Sequence, residues 1–115
     1  MSTVTIWHNP RCSKSRQTLA LLEDQGVAPE VRKYLEDAPN EGEIRAALAA
    51  LGLKPIEAMR TKEAEFKELG LTKTSPDDAL IAAMASTPKL NERPIVFVGE
   101  KARLGRPPES VLEIL

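Results

Sequence analysis

The residues with chemistry to offer lie close together near the N-terminus. His8-Asn9-Pro10-Arg11-Cys12-Ser13-Lys14-Ser15-Arg16 contains the chain's one cysteine and one histidine, with three basic residues within four positions of the thiol. A thiol attacks as its thiolate, which is stabilised by nearby positive charge and by the unpaired amides and dipole of a helix N-terminus. Arg11, Lys14 and Arg16 supply charge, and His8 could hydrogen-bond to the sulfur or favour its anion electrostatically. His8 could equally be a structural residue at the end of a strand. Ser15 follows Cys12 by three positions, on the same side of a helix, so its hydroxyl could donate to the sulfur; helix capping or solvent contact would also account for it. A free cysteine is often only a small buried hydrophobe. Here the polar neighbours argue against burial of Cys12 in an apolar core and for a reactive thiol.

A lone cysteine cannot close an internal disulfide, so any disulfide made by Cys12 is with another molecule. One cysteine and one histidine cannot supply the ligands of a structural zinc site, and no metal is expected. Three further arginines stand out by their settings: Arg60 at the end of a short helical run, Arg93 directly before Pro94 and a strand, and Arg106 in Gly105-Arg106-Pro107-Pro108. Taken singly, each reads more readily as a solvated surface charge than as a ligand. Their spacing alone does not assemble them.

The elements that must position these groups follow from pattern and punctuation. Thr3 to His8 alternates, with Val4 and Ile6 on one face and Thr5 and Trp7 on the other, as a strand does. Ser15, Leu19 and Leu22 have helical spacing up to Gly26, which puts Cys12 near that helix's N-terminus. Glu30 to Leu35 is a second extended run. Asn40 and Glu43 resemble a capping box opening a helix with Ile44, Ala47, Leu48 and Leu51 that stops at Gly52. The order βαβα favours parallel pairing of the first two strands through a right-handed crossover.

Beyond this, Pro55 can open a short helix, and Thr61 to Leu69 is charge-rich with Phe66 and Leu69 as its anchors. Ser75 as cap, Pro76 in the first turn and Asp78 as N-terminal acid predict a helix with Leu80, Ile81 and Met84 running toward Pro88. Ile95 to Val98 and Ala102 to Leu104 flank the link Gly99-Glu100-Lys101, which suits an antiparallel hairpin. A last helix from Pro108 carries Val111, Leu112 and Leu115 on one stripe. The expected class is α/β, a thioredoxin-like fold with a four-stranded mixed sheet and inserted helices in its middle.

At 115 residues, with 42% hydrophobic, 29% charged and 3% aromatic residues, one folded domain over 1–115 with a mainly aliphatic core is expected. The formal net charge of −1 argues against a nucleic-acid partner. No apolar stretch approaches the ~18 residues of a membrane span, and no basic-then-apolar leader opens the chain, so a cytoplasmic protein with no membrane partner is expected.

Together these residues resemble the glutaredoxin-linked arsenate reductase (ArsC) family, whose members carry His-Asn-Pro-x-Cys on a thioredoxin-like core. The matching landmarks are His8-Asn9-Pro10, Cys12, Ser15-Arg16, Tyr34-Leu35 leading to Pro39, Arg60, Leu69-Gly70-Leu71, Asn91-Glu92-Arg93-Pro94-Ile95-Val96 and Arg106-Pro107. They span nearly the whole chain. The resemblance implies that Cys12 is the nucleophile, with His8 and Ser15 beside it, and that Arg60, Arg93 and Arg106 hold the oxyanion. Guanidinium forks match the oxygens of arsenate and offset the charge developing at the attacked centre. It also implies that Pro94 is the fold's cis-proline.

The partners implied are arsenate, glutathione as co-substrate and glutaredoxin, with no bound cofactor, and a monomer is expected. A chain without a resolving thiol needs an external one, which agrees with that scheme. Arg11, Ser13 and Lys14 stand where family members often have smaller residues. Two other readings remain open. One is a glutathione-dependent disulfide reductase acting as a monothiol glutaredoxin would, which needs no oxyanion pocket. The other is a regulator resembling the polymerase-binding Spx proteins, although the Cys-x-x-Cys switch many of them use is missing because Ser15 occupies the second position.

Overall fold

The computed structural model describes residues 3–115, which gather into two compact units. The first consists of the chain up to Asp37 together with Arg93–Leu115; the second is Ala38–Glu92.

The first unit is built on a mixed sheet of four strands, β1 (Val4–Trp7), β2 (Glu30–Arg32), β3 (Ile95–Val98) and β4 (Lys101–Leu104), in the order β2-β1-β3-β4. β1 runs parallel to β2 and antiparallel to β3, with Ile6 opposite Val31 on one side and Val96 on the other. Helix α1 (Ser13–Asp24) makes the crossover between the two parallel strands. Its Leu22 packs with Ile6, Val96, Val111 and Ile114 in one apolar cluster. Ser15 and Thr18 are buried with Leu22, whereas Leu19 is only partly covered. The four-stranded mixed sheet, with helices inserted in the chain between β2 and β3, is the α/β, thioredoxin-like arrangement expected.

Several local expectations need correction. The second extended run stops at Arg32, because the N–H groups of Glu36 and Asp37 turn back to the Lys33 carbonyl, so Tyr34 and Leu35 lie in a turn. In the hairpin Lys101 pairs with Val98 and belongs to β4, which shortens the link to Gly99-Glu100. The C-terminal segment Pro108–Ile114 is a 3₁₀ helix. Its buried positions are Pro108, Val111 and Ile114, while Leu112 and Leu115 are exposed. A 3₁₀ helix repeats every three residues, so side chains at i and i+3 eclipse and the stripe drawn for an α-helix falls on the wrong side chains.

In the second unit α2 (Glu41–Leu51) has the capping box expected of it. Asn40 Oδ1 accepts the Glu43 N–H at 2.8 Å and Glu43 Oε1 accepts the Asn40 N–H at 3.1 Å. Gly52 ends the helix at φ 70°, a left-handed conformation that costs glycine little. Pro55–Ala58 forms one 3₁₀ turn, α3 is Ala64–Glu68 and α4 is Asp77–Ser86. Ile44, Leu48, Phe66, Leu80, Ile81, Met84 and Leu90 are among the buried residues of its apolar cluster. Leu69, expected as an anchor, is half exposed, since α3 ends before it. Ser75 does not cap α4 either: Pro76 occupies the cap position, and the Ser75 hydroxyl accepts the Thr72 N–H at 2.9 Å.

Among the described residues no helix is long and apolar enough to cross a membrane, and no group of three or more His, Cys, Asp or Glu could hold a metal ion.

Candidate active site

Cys12 occupies the N-cap of α1, at φ −94° and ψ 123°, with its carbonyl accepting the Arg16 N–H at 3.0 Å. The extended backbone at this position is what an N-cap requires, and it turns the side chain back over the first free amides of the helix. The thiol makes no formal capping bond, yet the amides of Ser15 and Lys14 face it closely enough to favour the anion. The sequence argued against burial of Cys12 in an apolar core; the residue is buried, only 9% exposed, and it is not part of the first unit's apolar cluster. Burial pushes its pKa up. The Ser15 amide, the charge of Arg93, an Arg93 N–H and the Lys14 amide together outweigh that, and the thiol sits below its ordinary range.

Arg93, the last residue before β3, therefore stands at the sulfur. Its Nε and Nη1 are buried and have no hydrogen-bond partner, although buried donors are nearly always satisfied. Arg106 is tied to it, since Arg106 Nε donates to the Arg93 carbonyl at 3.0 Å. The two peptide bonds Arg93-Pro94 and Arg106-Pro107 are both cis, the first as the resemblance implied and the second unanticipated.

His8 follows the end of β1, and its N–H donates to the Arg32 carbonyl at 2.8 Å. Its ring does not add positive charge to the site. Burial first, and then the charges of Lys33 and Arg16, lower its pKa below 6.5, so the imidazole is neutral near pH 7. His8 Nδ1 lies 2.7 Å from Ser15 Oγ, a buried contact. The same hydroxyl accepts the Asn9 N–H at 3.0 Å and is free to donate to Nδ1. Thus the Ser15 hydroxyl, which the sequence suggested for the sulfur, serves the His8-Asn9 turn, and it is the Ser15 backbone that faces Cys12.

Arg60 belongs to the second unit. Its N–H donates to the Leu90 carbonyl at 2.8 Å, next to a single antiparallel bridge between Met59 and Asn91. Its guanidinium pairs with Glu63 through Nη1 and lies 3.9 Å from Glu92 through Nε. Lys89 joins the same group, 3.5 Å from Glu63 and 3.3 Å from Glu65. The structure thus gathers His8, Cys12, Ser15, Arg93 and Arg106 in the first unit.

Sequence reasoning assigned no role to Asn9, Thr18 or Gly105. Asn9 Oδ1 accepts the Arg11 N–H at 3.0 Å, an Asx turn that shapes the approach to Cys12, and Asn-Pro was its visible signal. Thr18 had no signal, because an apolar stripe drawn through Leu19 skips it.

The model of the ArsC family matches residues 7–114. An uncharacterised Escherichia coli protein, YfgD, is 54% identical over 114 residues, covering 97% of this chain and 96% of its own. An arsenate reductase of Neisseria meningitidis is 47% identical and covers 100% of both chains. The solved structure of an arsenate reductase from Vibrio cholerae has 57% identity and a TM-score of 0.95, covering 99% of this chain and 98% of its own. With a family model spanning nearly all of the chain, and relatives this similar along their full lengths, the chain belongs to the ArsC family.

Proposed function

We propose that this protein reduces arsenate to arsenite, with the Cys12 thiolate as nucleophile. The observation that carries the reading is the pairing of a thiol held below its ordinary pKa with an arginine that still has two buried, unpartnered N–H groups. Those donors suit the oxygens of a tetrahedral anion, and guanidinium forks bind such oxygens two at a time. Arg93 and Arg106 bind the oxyanion; family resemblance alone assigns Arg60 to the same task.

In the reaction the Cys12 sulfur attacks arsenic(V), a sulfur–arsenic bond forms and one oxygen leaves as water. The glutathione thiolate then attacks the Cys12 sulfur, a sulfur–sulfur bond forms as the sulfur–arsenic bond breaks, and arsenic keeps that electron pair and departs as arsenite. Two glutathione thiols supply those electrons overall and end as one disulfide, with glutaredoxin resolving the mixed-disulfide stage and Cys12 returned as a thiol. A chain whose one cysteine is Cys12 depends on such an external thiol. Cytoplasmic residence fits a cysteine that must be kept reduced.

The test is a coupled assay with arsenate, glutathione and glutaredoxin. Wild type consumes reducing equivalents only when arsenate is present, and Cys12→Ser does not. Absence of arsenate-dependent consumption by wild type overturns the reading.

A further inference from the structure

Gly105 follows the end of β4 at a point where nothing larger than hydrogen fits. A Cβ placed on it would stand 2.5 Å from Thr18 Oγ1, 2.7 Å from Pro94 Cγ and 3.1 Å from Thr18 Cγ2. Gly105 is not among the glycines with positive φ, so space, not backbone conformation, demands glycine here.

What meets at this contact connects to the candidate site on both sides. Thr18 lies on α1, the helix that Cys12 caps; it is fully buried, and its hydroxyl donates to the Lys14 carbonyl at 2.8 Å. The Thr18 side chain thus lies against the first turn, whose Lys14 and Ser15 amides face the sulfur. On the other side the Gly105 N–H donates to the Pro94 carbonyl at 2.9 Å, and the next residue, Arg106, donates to the Arg93 carbonyl. Helix and arginine segment thus meet through one crowded contact. Close-packed interiors transmit a displacement of this kind and do not absorb it.

We infer that Thr18 and Gly105 form a spacer that sets how near the Arg93-Pro94 segment comes to the start of α1, and are positioning residues that keep Arg93 at the Cys12 sulfur. The inference rests on the thiolate half of the proposed function and makes no use of arsenate.

The test reads the pH dependence of Cys12 alkylation by iodoacetamide, after circular dichroism has established that each variant folds. Gly105→Ala wedges the contact from the strand side and Thr18→Ile from the helix side. Each moves the alkylation midpoint upward, with about tenfold less thiolate below it, as loss of one close opposite charge would give. Thr18→Ala in the Gly105→Ala background removes the two helix-side contacts of the methyl group, leaves the one with Pro94 Cγ, and brings the midpoint part of the way back toward wild type. Thr18→Val keeps the shape without the hydroxyl and leaves the midpoint in place. A folded Gly105→Ala or Thr18→Ile with the wild-type profile overturns the inference, as does a raised midpoint in Thr18→Val, which would assign the effect to the hydroxyl. If arsenate turnover is absent throughout, the alkylation profiles still decide the matter.

Discussion

The Ser15 hydroxyl lies 2.7 Å from His8 Nδ1, seven residues earlier in the chain, and both residues are buried. This contact, together with the Asn9 N–H donating to the same oxygen at 3.0 Å, fastens the end of β1 to the first turn of α1. The turn that carries Cys12 is held from both ends. The sulfur itself draws on other groups, the amides of Ser15 and Lys14 and the guanidinium of Arg93.

Replacing Ser15 with alanine therefore separates two effects. The variant leaves His8 Nδ1 and the Asn9 N–H without their partner, at a cost of about 1–3 kcal/mol for buried groups. Thermal unfolding will show a lower midpoint. Because the Ser15 amide remains, the pH profile of Cys12 alkylation stays close to wild type. A large rise in the thiol midpoint with unchanged stability would mean that the hydroxyl acts on the sulfur after all.

His8 gives a pH dependence with a definite sign. Its pKa in the folded protein is below the 6.5 it has when unfolded, so the unfolded chain binds a proton more readily. The contribution to stability is complete above about 6.5 and is lost as the pH falls from there through the lower folded value. As the chain's one histidine, His8 gives an unambiguous imidazole signal in proton NMR. That signal should titrate with a midpoint below 6.5, and unfolding experiments should show stability declining over the same interval. A midpoint above 6.5 would reverse the sign and contradict the neutral imidazole.

Features written into short stretches were legible in the sequence. The Asn40-Glu43 box and Gly52 frame α2 because caps and left-handed stops are chosen by neighbouring residues. The β3–β4 hairpin and the placement of Cys12 at a helix start follow in the same way. What depends on distant partners was not. The Ser15 hydroxyl turns to His8 because the end of β1 comes to it, and Cys12 is buried although every neighbour in sequence is polar. Gly105 is required by Thr18 and Pro94, residues far from it in the chain or across a strand. Arg93 and Arg106 meet for a similar reason: β3 and β4 are antiparallel, so the residues flanking the hairpin arrive side by side.

The C-terminal 3₁₀ segment makes a prediction that an α-helical reading would invert. Ile114 is buried in the cluster with Ile6, Leu22, Val96 and Val111, whereas Leu112 is 37% exposed. Ile114→Ala should destabilise the protein by about 2–5 kcal/mol, as large-to-small changes in a core do. Leu112→Ala should cost no more than about 0.5 kcal/mol, as surface changes usually do. Urea denaturation of the two variants measures both. Equal costs, or a larger one for Leu112, would contradict the burial of Ile114 in place of Leu112.

Arg93 separates oxyanion chemistry from simple disulfide exchange. Its charge and N–H help hold the Cys12 thiol low, so Arg93→Ala should raise the midpoint of Cys12 alkylation. The same change removes the buried Nε and Nη1 donors. Loss of a preorganised donor at developing charge typically costs about 10²–10³ in rate, and arsenate turnover should fall by at least that much. Reduction of a glutathione mixed disulfide needs no oxyanion pocket. Assayed at a pH above the raised midpoint, where the thiolate is fully formed in both proteins, any such activity should survive in the variant while arsenate reduction does not. If arsenate turnover in Arg93→Ala recovers fully at that pH, Arg93 acts on the sulfur alone, and the oxyanion is held by other groups.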